Sequence, residues 1–159
     1  MRKLVLTTIT GLLTTMALDA SECIIMKDLN VQFKNDSAIY ETADELTEIK
    51  EFAEFLKDTD LFVLIEGHTN HYAKATYNLE LSTKRAEKVK DELISLGVKP
   101  NNIKAMGFGE STPLYDNQTV DGTEKNRRVV AEVFNTKDEL NKYLINAEER
   151  IFSIKFLEQ

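Results

Sequence analysis

The chain has 159 residues, 42% of them hydrophobic and 30% charged, with 6 Gly and 2 Pro; this fits one globular domain with short appendages and excludes disordered, collagenous and low-complexity chains. Lys and Arg number 20 against 27 Asp and Glu, a formal charge of −7, so no basic surface is available to neutralise phosphates, and nucleic acid is excluded as a partner. The single cysteine excludes an intramolecular disulfide.

Arg2 and Lys3 precede an uncharged run from Leu4 to Leu18, the layout of a secretory signal. As a helix, that run of about 15 residues would reach roughly 22 Å, short of the roughly 30 Å of a bilayer core. Export with cleavage after Ala17 or Ala20 is the expectation, giving a signal peptide over residues 1–20 and a short segment over 21–28. Cys23 stands where a lipoprotein would be acylated. Glu22 directly precedes it, where such signals carry a small residue, so a free or mixed-disulfide thiol is the default reading.

Leu29 to Phe33 alternates apolar and polar residues and reads as a half-buried strand. Thr42 and Glu45 have the spacing of a capping box. Leu46, Ile49, Ala53 and Leu56 then follow at helical intervals to about Lys57. Leu61 to Ile65 is a continuous apolar run, a strand covered on both faces. Ala86, Val89, Leu93 and Leu96 form the stripe of a second helix that stops at Gly97, with Pro100 beyond it. Ile103 to Phe108 and Val129 to Phe134 are the remaining strand candidates. Leu140, Tyr143, Leu144, Ala147 and Ile151 mark a C-terminal helix within residues 136–159. The order strand, helix, strand, helix, strand, strand predicts an α/β (α+β) domain over residues 29–135, a βαβαββ sandwich. Its mixed sheet has helices packed on one side, and the C-terminal helix lies on the domain.

Between Ile65 and Val129 several motifs follow in order: Gly67-His68-Thr69-Asn70, Tyr77-Asn78 with Leu81 and Arg85-Ala86, Gly107-Phe108-Gly109-Glu110 with Pro113, and Asn126-Arg127-Arg128. Together with the opening Val31-Gln32-Phe33 and Asp36-Ser37-Ala38, this resembles the OmpA-like C-terminal domain. That peptidoglycan-binding module is shared by outer-membrane porins, peptidoglycan-associated lipoproteins and flagellar stator proteins. The resemblance implies non-covalent binding of peptidoglycan in the periplasm through the diaminopimelate of its stem peptide, anchoring an envelope component to the cell wall. It implies a ligand site at Thr69 and Asn70, at Asn78, Leu81 and Arg85 on the second helix, and at Arg127, with Asp36 contributing if the first loop folds over the pocket. Arg85 takes the position of the family's arginine, suited to hold the ligand carboxylate through two parallel hydrogen bonds. Asn78, Leu81 and Ser82 share its helix face. Asn70 departs from the family's aspartate. Its amide can accept from an ammonium but without charge assistance, a loss on the order of 1–2 kcal/mol, or about tenfold in affinity.

His68 and His71 lack a third ligand, so no metal is expected. No nucleophile motif is present, and nothing fixes Glu66 and Glu110 as a carboxylate pair. A binder with no enzymatic activity and no cofactor is the reading. Its location is the periplasm, in association with the outer membrane if Cys23 or an envelope protein held by the C-terminal helix ties it there. The alternative, favoured by Asn70, is a degenerate OmpA-like domain that serves as a protein-interaction module without affinity for peptidoglycan.

Overall fold

The computed structural model describes residues 25–155, with side chains described from Leu29 to Phe152 apart from Asn30. The leader read over residues 1–20, and Cys23, lie outside the described residues. Four strands, β1 (Ile25–Gln32), β2 (Phe62–His68), β3 (Ile103–Gly109) and β4 (Arg128–Phe134), form one sheet in the order β1-β4-β2-β3. β4 runs antiparallel to β1 and β2, and β2 and β3 are parallel. The mixed sheet follows from the connections: β2 and β3 are joined through a helix, the crossover that a parallel pair requires.

The helices are α1 (Asp44–Thr59), α2 (Ala75–Ser95), α3 (Val120–Asn126) and α4 (Lys137–Lys155). Side chains alternate across the sheet, so Val63 and Ile65 of β2 and Val129, Ala131 and Val133 of β4 enter one core with Ile49, Phe52 and Leu56 of α1 and Ala86, Val89 and Leu93 of α2. Leu64 and Phe134 point the opposite way and meet Leu140, Tyr143 and Leu144 of α4. The expected one-sided packing therefore describes α1 and α2, whereas α4 covers the other face. This double coverage explains why β2 reads as an unbroken apolar run.

Two glycines decide how close α2 lies to the sheet. A Cβ on Gly67 would fall 2.0 Å from the Ser82 carbonyl oxygen, and one on Gly107 would fall 2.2 Å from Thr83 Oγ1 and 2.5 Å from Thr83 N. With both positions bare, the α2 backbone rides directly on β2 and β3. Ser82 is consequently spent on the sheet, its hydroxyl accepting from Gly109 N–H at 2.9 Å. It does not join the helix face shared by Asn78, Leu81 and Arg85.

The capping box expected from Thr42 and Glu45 is not formed. α1 begins after Ala43, which makes no side-chain cap, and Thr42 Oγ1 accepts from Asp44 N–H at 3.3 Å. The Glu45 carboxylate crosses to β1 instead and accepts from Gln32 N–H at 3.0 Å. Burial raises its pKa. The Gly97 stop behaves as read: Val98 N–H reaches Leu93 O and Gly97 N–H reaches Ile94 O, each at 3.0 Å, closing α2 with a Schellman motif. α3 is an element that the sequence reading left out, capped by Thr119 Oγ1 accepting from Gly122 N–H at 3.0 Å.

Candidate functional site

The exit of β2, the first turns of α2, the loop after β1 and the start of β4 surround an open cleft of about 290 Å³. Its walls carry Asp36 from the first loop, Thr69 and Asn70 from the β2 exit, Asn78, Leu81 and Arg85 from α2, and Arg127. All seven residues singled out from the sequence thus meet in one place. Asn35, Tyr72, Ala73 and Tyr77 complete the lining.

Arg85 is fully buried. Its Nε donates to Ser37 O at 2.9 Å and its Nη2 to Lys34 O at 3.2 Å, so one side of the guanidinium pins the first loop across α2. The Phe33 ring lies 5.3 Å from the guanidinium carbon. Among the described residues, Nη1 has no hydrogen-bond partner. Burial, with the charge of Arg127 second, lowers the guanidinium to about 10, which leaves it cationic at neutral pH. Arg127 Nε and Thr69 Oγ1 are likewise buried atoms without partners. Three unsatisfied polar atoms, two of them on guanidinium groups, therefore belong to residues lining one cleft. Each unpaired buried donor costs about 1–3 kcal/mol, a cost that an incoming acceptor removes.

The first loop does fold against α2. Asp36 adopts a left-handed backbone with φ of 53°, and its carboxylate accepts from the Tyr77 hydroxyl in a short hydrogen bond. That bond raises the Tyr77 pKa. Lys88 Nζ adds a hydrogen bond to Ala38 O at 2.9 Å. Asn78 holds the second loop: its Nδ2 faces Asn70 O and Ala73 O, each at 3.1 Å, and the Glu110 carboxylate at shorter range. Its two N–H donors are shared among the loop carbonyls and Glu110, so Asn78 positions the cleft wall more than it donates to a ligand. Asn70 Oδ1 makes only a long 3.4 Å contact with Tyr72 N–H.

The two histidines do not share a site. His68 is buried on the α4 face, stacked on Phe108 at 5.4 Å between ring centroids, with Nδ1 3.3 Å from Thr112 Oγ1 and Nε2 3.6 Å from the Glu66 carboxylate. Burial lowers its pKa, keeping the ring neutral at pH 7. His71 is exposed and packs on Tyr72. Glu66 and His68 share a separate cavity of about 180 Å³ with Arg128, Tyr143 and Arg150, so Glu66 and Glu110 do not form a pair across one site. Arg128 donates to Thr112 O at 3.1 Å and lies 3.4 Å from Asn126 Oδ1. Asn126, fully buried, accepts from Leu114 N–H and Tyr115 N–H and donates to Tyr115 O. It organises the loop before α3, a role that no local pattern reveals.

The chain is similar to known proteins in sequence and fold. The OmpA family model matches residues 32–127. The outer membrane porin F of Pseudomonas aeruginosa is 35% identical over 125 residues, 74% of this chain and 35% of that protein. The peptidoglycan-binding protein ArfA of Mycobacterium tuberculosis is 36% identical over 100 residues, 62% of this chain and 30% of that protein. The chain thus spans about a third of the length of these curated relatives. Among solved structures, the peptidoglycan-associated lipoprotein of Burkholderia pseudomallei superposes with a TM-score of 0.59 at 28% identity, covering 65% of this chain and 86% of that one. Since the family model covers more than half of the 159 residues and the fold superposes on that of the Burkholderia lipoprotein, the chain belongs to the OmpA family.

Proposed function

We propose that the protein binds peptidoglycan non-covalently in the periplasm and holds an envelope component to the cell wall, recognising the diaminopimelate of the stem peptide. The observation that carries this reading is the pair of unpartnered guanidinium donors, Arg85 Nη1 and Arg127 Nε, on residues lining one cleft. A ligand carboxylate satisfies both with charge-assisted hydrogen bonds, the strong class. Thr69 Oγ1 and the Asn70 amide offer neutral contacts to the nitrogen beside that carboxylate, while Leu81 and Asn78 shape the wall. Relatives point the same way: the mycobacterial protein is named for peptidoglycan binding and the Burkholderia lipoprotein for peptidoglycan association.

The reading is of a binder without catalysis. Among the described residues, no helix is long and apolar enough to cross a membrane. α4 packs Leu140, Tyr143 and Leu144 against the sheet and leaves Ile145 and Phe152 exposed among its polar residues, so an envelope protein docking there would meet a mixed surface.

Co-sedimentation with purified sacculi tests the proposal. Wild type should pellet, while Arg85→Lys and Arg127→Gln, checked by thermal melting to be folded, should stay largely in solution, because lysine lacks the guanidinium geometry that bonds Ser37 O and Lys34 O while Nη1 is left for the ligand, and glutamine carries no charge. If wild type itself stays in solution, the alternative favoured by the uncharged Asn70, a protein-interaction module without affinity for peptidoglycan, is the better account.

A further inference from the structure

The charges around the cleft favour a carboxylate over an ammonium. Arg85 and Arg127 are cationic. Asp36, the carboxylate lining it, already accepts the Tyr77 hydroxyl hydrogen. Glu110 binds Asn78 and is not a lining residue. Where a carboxylate would face a ligand ammonium, Asn70 presents a neutral amide. It is buried to 8% exposure, and its Oδ1 is held only by the 3.4 Å contact to Tyr72 N–H.

An ammonium entering this space gives up hydration beside two guanidinium groups; the ligand's own carboxylate and Asp36, which keeps its charge while it accepts from Tyr77, offset these in part, but Asn70 adds no charge where the nitrogen sits. A secondary amide pays no such charge penalty. It brings one N–H and one carbonyl, and the Asn70 side chain has both an acceptor and donors to meet either. In a peptidoglycan stem the diaminopimelate side-chain nitrogen occurs in these two chemical states, as a free ammonium or acylated in a peptide cross-link. The neighbouring carboxylate is kept in both. We infer that Asn70 makes this cleft accept the cross-linked, N-acylated residue at least as well as the free amine, with Arg85 and Arg127 holding the carboxylate in either case. This inference rests on the peptidoglycan reading and names the form of peptidoglycan the site selects. A site of this kind is not emptied as a wall becomes more cross-linked.

Calorimetric titration of the purified protein with two synthetic probes decides it: a stem tripeptide ending in meso-diaminopimelate, and the same tripeptide acetylated on the side-chain amine. Wild type should bind the acetylated peptide as tightly as the free amine or more tightly. Asn70→Asp, which preserves the acceptor facing Tyr72, should turn the ratio to about tenfold in favour of the free amine. Each ratio is internal to one protein, so partial loss of folded material cancels. A wild-type preference of tenfold or more for the free amine overturns the inference while leaving the peptidoglycan reading intact, as does an unchanged ratio in Asn70→Asp. Binding of neither peptide by wild type removes the reading itself and the inference with it.

Discussion

The seat of α2 on the sheet gives the most calculable perturbation. In Gly67→Ala the new methyl would lie 2.0 Å from the Ser82 carbonyl oxygen, 2.8 Å from its carbonyl carbon and 3.2 Å from its Cα. All three are backbone atoms, so no side chain can swing aside, and van der Waals contact is restored only by moving α2 away from β2 by more than 1 Å, since carbon contacts are optimal near 3.5–4.0 Å. Overpacking of this kind costs about 1–3 kcal/mol, occasionally more, and the involvement of backbone places Gly67→Ala at the upper end, about 3 kcal/mol. For a domain of this size each kcal/mol shifts the melting temperature by about 2–4 °C or somewhat more, so a fall of roughly 10 °C is expected by circular dichroism. Because α2 carries Tyr77, Asn78, Leu81 and Arg85, the same displacement should weaken sacculus binding at temperatures where the variant is still folded. A melting point within about 2 °C of wild type would refute the claim that bare glycine sets this spacing.

Two further substitutions probe the α4 face of the sheet. Leu140→Ala removes a buried side chain packed with Leu64 and Phe134 and should cost about 2–5 kcal/mol in urea unfolding, yet leave sacculus binding at 10 °C unchanged because the cleft is on the other side. A binding defect in this variant while it is folded would mean that α4 and the cleft are coupled. His68 provides a pH dependence. Its folded pKa lies below the ordinary 6.5 through burial, so the unfolded chain binds the proton first. The stability conferred by the neutral buried ring is fully present above pH 6.5 and is lost as pH falls from 6.5 through the depressed folded value. Denaturation midpoints measured from pH 8 to pH 5 should fall over that lower range, and the His68→Gln slope should be flatter; parallel slopes for the two proteins would contradict the assignment.

The sequence carried the strands and the two main helices clearly because their apolar patterns are long enough to show a period. β2, buried on both faces, could only be an unbroken apolar run, and α2 announced its end through Gly97. α3 was hidden, since seven residues cannot display a stripe; its signals were the Thr119 cap and the Asp121–Lys125 pair, 2.7 Å apart. An amphipathic stripe on α4 says that one side is buried but not against which face of the sheet. Glu45 misled because a carboxylate three residues after a threonine serves a cap or a neighbouring strand equally well, and its partner Gln32 is 13 residues away.

The cleft was legible as a set of residues through motif spacing, whereas its wiring was not. Arg85 reaches carbonyls 48 and 51 positions away, and Tyr77 meets Asp36 across 41. These long-range contacts, which tie the first loop to α2 and leave Nη1 unpaired, exist only once the glycine-seated helix and the loop are brought together.

The most direct test is a crystal structure of the protein with the stem tripeptide. A ligand carboxylate oxygen should lie within about 3 Å of both Arg85 Nη1 and Arg127 Nε, with the first loop unmoved and Asp36 still on Tyr77. A peptide bound elsewhere, or seated in the cleft with both guanidinium donors still unpaired, would contradict the account.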